Sequence, residues 1–291
     1  MKKTTIFSIL LSSFVAMAIL SSCKDKTSDT NENRIEYDSI VVTDNIQLIE
    51  VNDTTLPYSD VNINFLYPKK FKNEEDLKRL QQIFIGTFFS NVHLDTLSPE
   101  DAMDEFVGEY KEEYQSLSNT YYEDVQRLTD GNSIPMWYWY SLNLENKVLF
   151  QNNSLVSYAV QYSDYTGGAH GSYRVTYTNI DLNELTTVSE EDIFVPNYQQ
   201  ELARVIVKRL MIQNNVTTKE GLLEVGFFDI DEIFPNNNFW ISNDGIHYAF
   251  NQYEIAPYVM GTIEVNIPFE DLRGLLKTEN GIEKLVSIKE Q

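Results

Sequence analysis

Several residue types that active sites depend on are scarce in this sequence. Its 291 residues include one cysteine and three histidines, His93, His170 and His247, which lie far apart in the chain. A zinc site usually takes several His or Cys ligands, so we predict no metal site. The sequence also lacks HExxH, GxSxG, the glycine–lysine phosphate loop and the dinucleotide fingerprint, and we therefore predict no cofactor.

Basic residues are half as frequent as acidic residues. Lys and Arg number 22 against 44 Asp and Glu, which gives a formal net charge of −22. Nucleic-acid binding draws its affinity from lysine and arginine, so this balance argues against a nucleic-acid partner. A cationic protein is a more natural partner, because opposite fields speed encounter and suppress wrong partners. The alternative is that the charge provides solubility alone.

The N-terminal segment has the pattern of an export signal that ends in a lipidation site. A short basic stretch precedes an apolar run over residues 6–20, which is too short for a typical membrane-spanning helix. The tetrapeptide Leu20-Ser21-Ser22-Cys23 resembles a bacterial lipobox. We predict that residues 1–22 are removed and that Cys23 becomes the lipidated first residue. No cysteine then remains for a disulfide or a thiolate nucleophile.

The residues after the predicted anchor are polar and poor in apolar side chains. We therefore predict that residues 23–34 form a flexible tether between the membrane and the folded part of the chain. Loss of residues 1–22 removes Lys2 and Lys3, so the net charge of the mature chain is 20 − 44 = −24. We predict a lipid-anchored protein of the cell envelope, in the outer membrane of a Gram-negative bacterium. The sequence leaves open which face of the membrane it occupies.

The rest of the chain combines strand-like and helix-like segments in an order typical of α+β proteins. Asn73 caps a helix with apolar residues at three- and four-residue spacing, and Ser98-Pro99 begins another. Residues 239–250 give the clearest hairpin pattern, with Asn243-Asp244-Gly245 as its turn. Hairpins with a few separate helices predict antiparallel sheets with packed helices, arranged as two subdomains.

We place a domain boundary at the segment 131–135, which contains glycine and proline. This gives an N-terminal α+β domain over residues 35–134 and a C-terminal α+β domain over residues 135–291. Trp137 and Trp139 begin the second domain within a β-prone run. Two residues apart on a strand they share a face, as a sugar-stacking platform requires, although packed core aromatics are the alternative.

The segment 165–173 is the densest cluster of glycines in the chain. Gly167, Gly168 and Gly171 lie within five residues, between strand-like runs at 155–162 and 173–182. Glycine reaches positive φ at little steric cost, so the cluster predicts a tight connection or a close approach of the backbone. His170 lies in the same segment, six residues after Asp164. It is a candidate base or ligand, or a structural histidine bonded to the backbone.

The run Tyr165-Thr166-Gly167-Gly168-Ala169-His170-Gly171 resembles the signature of a bacterial envelope domain family of uncharacterised function. Residues 179–182, 188–194 and 253–261 resemble further parts of that signature, so the resemblance spans about residues 135 to 275. The family is known from the lysozyme-sensing anti-sigma factor and from the non-catalytic N-terminal region of a peptidoglycan deacetylase. A smaller companion domain usually precedes it, and residues 46–130 would be its counterpart.

The resemblance implies a sensing or binding module without the effector part of those proteins. We predict a contact surface at the loops around residues 165–172 and 253–261, since both combine backbone freedom with aromatic anchors. Its partner would be a cationic protein such as lysozyme, or peptidoglycan. The predicted binding residues are Tyr165, Gly167, Gly168, His170, Ser172, Tyr253, Pro257 and Tyr258.

Two other functions stay open. One is an enzyme that modifies peptidoglycan or another glycan through Asp164, His170 or an unidentified acid, although a chain with 44 acids always offers carboxylate pairs. The other is a structural or assembly protein of the outer membrane. A cluster of acids and asparagines resembles a calcium loop in composition only, and we predict solvated turns there. Its members are Asp229, Asp231, Glu232 and residues 236–238.

Overall fold

The computed structural model describes residues 33–51, 53–128, 135–277 and 281–286. The predicted signal peptide, the lipidation site Cys23 and most of the predicted tether lie outside these residues. In chain order the first elements are β1 (Glu36–Gln47), β2 (Tyr58–Lys70), α1 (Glu74–Phe89), α2 (Pro99–Ser116), α3 (Ser118–Arg127), a 3₁₀ turn (Met136–Tyr138), β3 (Tyr140–Gln151), β4 (Leu155–Tyr165), β5 (Ser172–Asp181) and β6 (Thr186–Thr187).

The second part of the chain carries shorter elements around one longer helix. They are α4 (Glu190–Ile193), α5 (Gln199–Gln213), α6 (Lys219–Glu224), a 3₁₀ turn (Ile230–Glu232), β7 (Phe239–Ile241), β8 (Gly245–Phe250), a 3₁₀ turn (Tyr258–Met260), β9 (Ile263–Pro268), α7 (Phe269–Leu272) and a 3₁₀ turn (Ile282–Lys284). In the described part of the chain, no helix has the length and apolar character needed to cross a bilayer.

The first two helices begin where their capping residues predict. The Asn73 side chain accepts a hydrogen bond from the backbone of Asp76, and Ser98 accepts one from Asp101. Each cap satisfies an N–H group that the first helical turn leaves without a partner. Acidic residues in the first turn of each helix add a favourable interaction with the positive end of the helix dipole.

The strands form two sheets. β1 to β6 lie in sequence order in a six-stranded sheet, where β2 and β3 run parallel and the other neighbours run antiparallel. β7, β8 and β9 form a three-stranded antiparallel sheet that contains the predicted hairpin. The predicted α+β class is confirmed. The boundary predicted at residue 134 falls between β2 and β3, which pair directly in the larger sheet.

Aromatic side chains fill the space between α1 and the larger sheet. Phe84 of α1 stacks on Tyr158 of β4 with ring centroids 4.5 Å apart, and Phe88 stacks on Phe65 of β2 at 4.4 Å. All four side chains are buried. Burial of a large apolar side chain contributes roughly 1.5–3 kcal/mol, so this layer anchors α1 against the sheet.

The smaller sheet packs against the other face of β4 and β5, and buried polar groups align the two. The side-chain amide of Asn179 on β5 donates to the carbonyl of Phe239 (2.8 Å) and accepts from the N–H of Ile241 (3.0 Å). Ser157 of β4 donates to the carbonyl of Ile241 (3.0 Å). An unpaired buried polar group is costly, so these bonds specify one alignment of the sheets.

The prediction that Trp137 and Trp139 share a strand face is wrong. Trp137 lies in the 3₁₀ turn, Trp139 follows that turn, and β3 begins only at Tyr140. Pro135, directly before the turn, lacks an N–H and fixes its own φ, which suits the start of a helical turn better than a sheet ladder.

Candidate functional site

Two loops that are distant in sequence meet at one end of the larger sheet. We call residues 166–171, between β4 and β5, the first loop, and residues 251–262, between β8 and β9, the second loop. The imidazole of His170 stacks on the ring of Tyr258 with centroids 4.1 Å apart and an angle of 25° between the ring planes. The hydroxyl of Tyr258 donates to the carbonyl of Gly171 at 3.0 Å. The structure therefore joins the two predicted contact segments directly.

Side-chain amides from the second loop and from Asn238, just before β7, lie along the outer edge of β5. The N–H groups of Tyr173, Val175 and Tyr177 donate to the side chains of Gln252 (3.2 Å), Asn251 (2.8 Å) and Asn238 (2.8 Å), respectively. Asn251 and Asn238 also donate to the carbonyl of Val175. These amides take the place of a neighbouring strand, because the backbone groups at a strand edge otherwise have no partner. We call this set of three side chains the amide ladder.

The glycines of the first loop differ in what their positions require. Gly167 has φ +83°, and a Cβ there would overlap the carbonyl of Trp137. A Cβ on Gly171 would overlap the carbonyl of Asp164, whereas at Gly168 the nearest atom to a Cβ is 3.6 Å away, at ordinary contact distance. Gly167 and Gly171 are therefore required by backbone geometry, and Gly168 is not.

The second loop presents exposed side chains on a constrained backbone. Tyr253 has φ +68° and is 58% exposed, and its ring lies 5.9 Å from that of Tyr258. Pro257 leads into the 3₁₀ turn that carries Tyr258 and Val259, and Val259 is 88% exposed. A tyrosine held at positive φ is uncommon, and such residues cluster at ligand contacts.

The predicted binding residues fall into two groups. His170, Tyr253, Pro257 and Tyr258 come together, and with Val259 they form what we call the loop surface. Tyr165 ends β4 and is half-buried. Ser172 begins β5 and donates to the carboxylate of Asp164, so it closes the base of the first loop. The sequence did not predict the amide ladder, because Asn and Gln residues that bond to a distant strand edge leave no recognisable pattern in the local sequence.

The histidines do not form a catalytic arrangement in the described residues. Nδ1 of His170 lies 3.4 Å from the carbonyl of the adjacent Gly171, and Asp164 bonds to Tyr162 and Ser172 rather than to His170. No group of three or more His, Cys, Asp or Glu residues in this part of the chain is placed to hold a metal ion.

The Ser242, Asp244 and His247 side chains lie together at the β7–β8 turn. Nε2 of His247 is 2.9 Å from Oγ of Ser242 and 3.8 Å from the carboxylate of Asp244. A Ser–His–Asp triad needs the carboxylate on the other ring nitrogen, so this cluster is not a triad. Burial lowers the pKa of His247, which outweighs the opposing effect of Asp244. The cluster closes the hairpin turn.

The segment that resembles a calcium loop in composition has other roles. Asp229 caps the 3₁₀ turn at Ile230–Glu232, and Asp231 pairs with Lys219. Asn236 donates to the carbonyl of Ala249 (2.9 Å) and to Glu254 (2.8 Å), while Asn238 belongs to the amide ladder. These contacts hold turns in place.

The chain is similar in sequence and in fold to proteins of known structure. A crystal structure of a member of the DUF3298 family from Bacteroides fragilis shares 33% sequence identity with the chain, at a TM-score of 0.79. The match covers 85% of this chain and 96% of that one. The chain belongs to the DUF3298 family. The family profile described as "Protein of unknown function (DUF3298)" matches residues 191–270, and the profile described as "Deacetylase PdaC" matches residues 50–173.

In this DUF3298 protein, the two profile matches cover different parts of the chain, and each part contains one of the two loops. The first loop lies in the segment that is similar to PdaC, and the second loop lies in the segment that matches DUF3298. The contact of His170 with Tyr258 therefore joins the two matched segments. The expected resemblance to part of a deacetylase is confirmed at the level of this match, while the relation to the anti-sigma factor stays a prediction.

A second crystal structure, of a DUF3298 family protein from Pseudomonas aeruginosa, shows the same fold. It is 17% identical, with a TM-score of 0.56, and the match covers 86% of this chain and 98% of that one. Among curated proteins, none matches the chain significantly.

Proposed function

We propose that this DUF3298 protein is a non-catalytic binding module of the cell envelope, anchored by a lipid on Cys23 and held in the outer membrane. Its partner is a cationic protein of the lysozyme type, which contacts the loop surface. The proposal rests on one observation: the stack of His170 on Tyr258 combines exposed side chains from two distant segments into one surface.

The loop surface has the composition of a binding hot spot. Tyrosines near the centre of an interface supply most of its binding energy, because their large rings become fully desolvated there. Tyr253 and Val259 are exposed, whereas Tyr258 and Pro257 are half-buried, and the Tyr258 ring lies 5.9 Å from that of Tyr253. The amide ladder and the bond from Tyr258 to Gly171 hold this backbone before any partner arrives. A surface ordered in advance loses less entropy on binding.

The charge of the chain supports a cationic partner. The mature chain without residues 1–22 has a net charge of 20 − 44 = −24, and its field attracts basic proteins and speeds their encounter. Such attraction is largely lost at high salt, whereas desolvated aromatic contacts persist. A partner that uses the loop surface therefore stays bound when salt is raised.

A cell-wall glycan is a second candidate, and the position of Trp137 favours it. The Trp137 side chain is 47% exposed, and its backbone lies directly against Gly167 of the first loop. An exposed indole on a residue that adjoins the first loop offers an aromatic face to a sugar ring. The test is co-sedimentation of the protein with insoluble peptidoglycan. If Trp137→Ala abolishes co-sedimentation and leaves lysozyme binding unchanged, the result supports this candidate.

The experiment that tests the proposed function is a binding titration. The chain without residues 1–22, carrying Cys23→Ser, is titrated with hen lysozyme at low salt and at near-physiological salt. Affinity that persists at the higher salt is expected. Binding that disappears with salt would mean only that an acidic protein had met a basic one, and would count against the proposal.

A further inference from the structure

A cleft of about 590 Å³ lies between α2 and the face of the larger sheet that is turned away from the smaller sheet. Its floor consists of Leu142, Leu144 and Val160, which are all buried. Phe106 and Tyr110 of α2 form one wall. Protein interiors are normally packed closely, and clefts of about 300–1,000 Å³ with an apolar lining are typical of small-molecule sites.

Among the described residues that line this cleft, Arg174 of β5 is the one cation. Its guanidinium lies 4.1 Å from the ring centroid of Tyr162, which is opposite it on β4. Among the ion pairs and hydrogen bonds of the described residues, none involves the Arg174 side chain. Guanidinium N–H groups bind carboxylate-like anions with two parallel hydrogen bonds. The side chain is therefore held in place with its donors available.

One of the two carboxylates that line the cleft is already engaged in hydrogen bonds. Asp164 accepts hydrogen bonds from Tyr162 (2.9 Å) and Ser172 (2.5 Å), one on each oxygen. Burial, together with the bond to Asp164, raises the pKa of Tyr162 to about 12, so its hydroxyl remains a donor. This bond fixes the ring on which Arg174 rests. Glu113, the other acid of the lining, is exposed.

We propose that this cleft binds a small anionic amphiphile, namely a carboxylate on an apolar chain or ring, with the anion on Arg174 and the apolar body over Leu142, Leu144 and Val160. This site goes beyond the proposed function, because it lies on the helix side of the sheet and needs no protein partner. The chain is acidic and the lining also holds Asp164 and Glu113, so the surrounding field disfavours an anion here and its binding depends on direct hydrogen bonds from the Arg174 guanidinium.

A second cleft in the same molecule provides an internal control. It also has a volume of about 590 Å³ and is lined by α5 together with Ile233 and Phe234. Its cations are paired: Arg204 with Glu201, Lys208 with Asp271 (3.4 Å) and Lys219 with Asp231. The two clefts are thus similar in volume and both have apolar linings. They differ in that the first cleft has a guanidinium without an acidic partner, whereas the cations of the second are paired.

The test uses the chain without residues 1–22, carrying Cys23→Ser, and the fluorescent anion 8-anilinonaphthalene-1-sulfonate. The bound probe is displaced with dodecanoate or with dodecylamine, both below the concentrations at which they form micelles. We expect dodecanoate to displace the probe and dodecylamine not to. Arg174→Gln should lower the affinity for both the probe and dodecanoate by about tenfold or more, as expected for loss of a charged hydrogen-bond donor. Arg204→Gln should leave both affinities within about twofold of those of the chain without this substitution, as expected for a paired surface residue.

A steric variant separates this cleft from other apolar surfaces. Thr176 lies on β5 with its side chain lining the cleft, and Thr176→Trp places an indole in the proposed ligand volume. We expect loss of dodecanoate binding with an unchanged circular dichroism spectrum. If that variant fails to fold, Arg174→Gln still decides, because Arg174 is exposed and its loss leaves the core intact. Wild-type affinity in Arg174→Gln, or equal displacement by dodecylamine, would overturn the proposal.

Discussion

The side-chain amide of Asn251 pairs with the backbone of Val175 as a neighbouring strand would. Oδ1 of Asn251 accepts from the Val175 N–H at 2.8 Å, and Nδ2 donates to the Val175 carbonyl at 3.0 Å. One side chain thus replaces both partners of a sheet pair and fastens the start of the second loop to β5.

Asn251→Leu should therefore destabilise the fold. The change removes both hydrogen bonds and leaves the partly buried N–H of Val175 without an acceptor, which costs about 1–3 kcal/mol. Asn251→Asp keeps the acceptor and loses the donor, so we expect a smaller loss. Urea unfolding monitored by tryptophan fluorescence measures both. Equal stability of Asn251→Leu and wild type would show that water replaces the amide.

Gly167→Ala and Gly168→Ala should differ sharply in stability, although the residues are adjacent. At Gly167 a Cβ meets positive φ and the Trp137 carbonyl, so we expect a loss of at least about 1 kcal/mol. At Gly168 the space is open, and the free energy of unfolding should change by no more than about 0.5 kcal/mol. Thermal unfolding of the pair checks this difference, and similar losses at both positions would contradict the geometry.

Tyr253→Ala should weaken lysozyme binding at near-physiological salt by about tenfold or more, as expected for a hot-spot tyrosine. Tyr122→Ala is the matched control, because Tyr122 on α3 is 50% exposed, close to the 58% of Tyr253. We expect no change in affinity from that variant. Both are measured by titration calorimetry. Equal affinity of the two variants would remove the loop surface from the proposed function.

Tyr258→Phe separates the two contacts that join the loops. The variant keeps the stack on His170 and loses the hydrogen bond to Gly171, which contributes about 0.5–1.5 kcal/mol. We expect faster amide hydrogen exchange in the first loop with the overall fold unchanged. Exchange rates equal to those of the wild type would mean that the stack alone holds the loops together.

Acid should destabilise the wild type more than His247→Phe. Burial lowers the pKa of His247 in the folded chain, so below about pH 6.5 the unfolded chain binds a proton more readily than the folded chain. This contribution to stability is complete above that pH and is lost as the pH falls toward the lower folded pKa. Phenylalanine does not titrate and keeps an aromatic ring on Trp240. Urea unfolding of both proteins at pH 7.5 and at pH 5 measures how much stability each loses on acidification. Equal losses would show that His247 does not contribute to the acid sensitivity.

Much of the fold follows from local patterns in the sequence. Asn73 and Ser98 begin their helices as predicted, and the Asn243-Asp244-Gly245 turn joins β7 and β8. Trp137 is the counterexample: its residue type favours a strand, but the turn after Pro135 determines its conformation. Local propensity is weak where a neighbouring residue restricts the backbone.

The candidate site was predictable in its parts and not in its assembly. Gly167 and Tyr258 were identified from glycine spacing and from the family resemblance. The stack of His170 on Tyr258 depends on packing between β5 and the second loop. The two residues are 88 positions apart in the chain, so no local pattern predicts their contact. Arg174 gave no signal of its own, because an alternating strand does not reveal which of its faces borders a cleft.

The amide ladder also bears on how this chain can be divided. The PdaC-like match ends at residue 173 and the DUF3298 match begins at residue 191, which invites expression of the two halves as separate proteins. A fragment ending near residue 187 would keep β5 but lose Asn238, Asn251 and Gln252. Its bare strand edge would then be free to recruit the same edge of another copy. We expect such a fragment to self-associate in light scattering, whereas the chain without residues 1–22, carrying Cys23→Ser, does not.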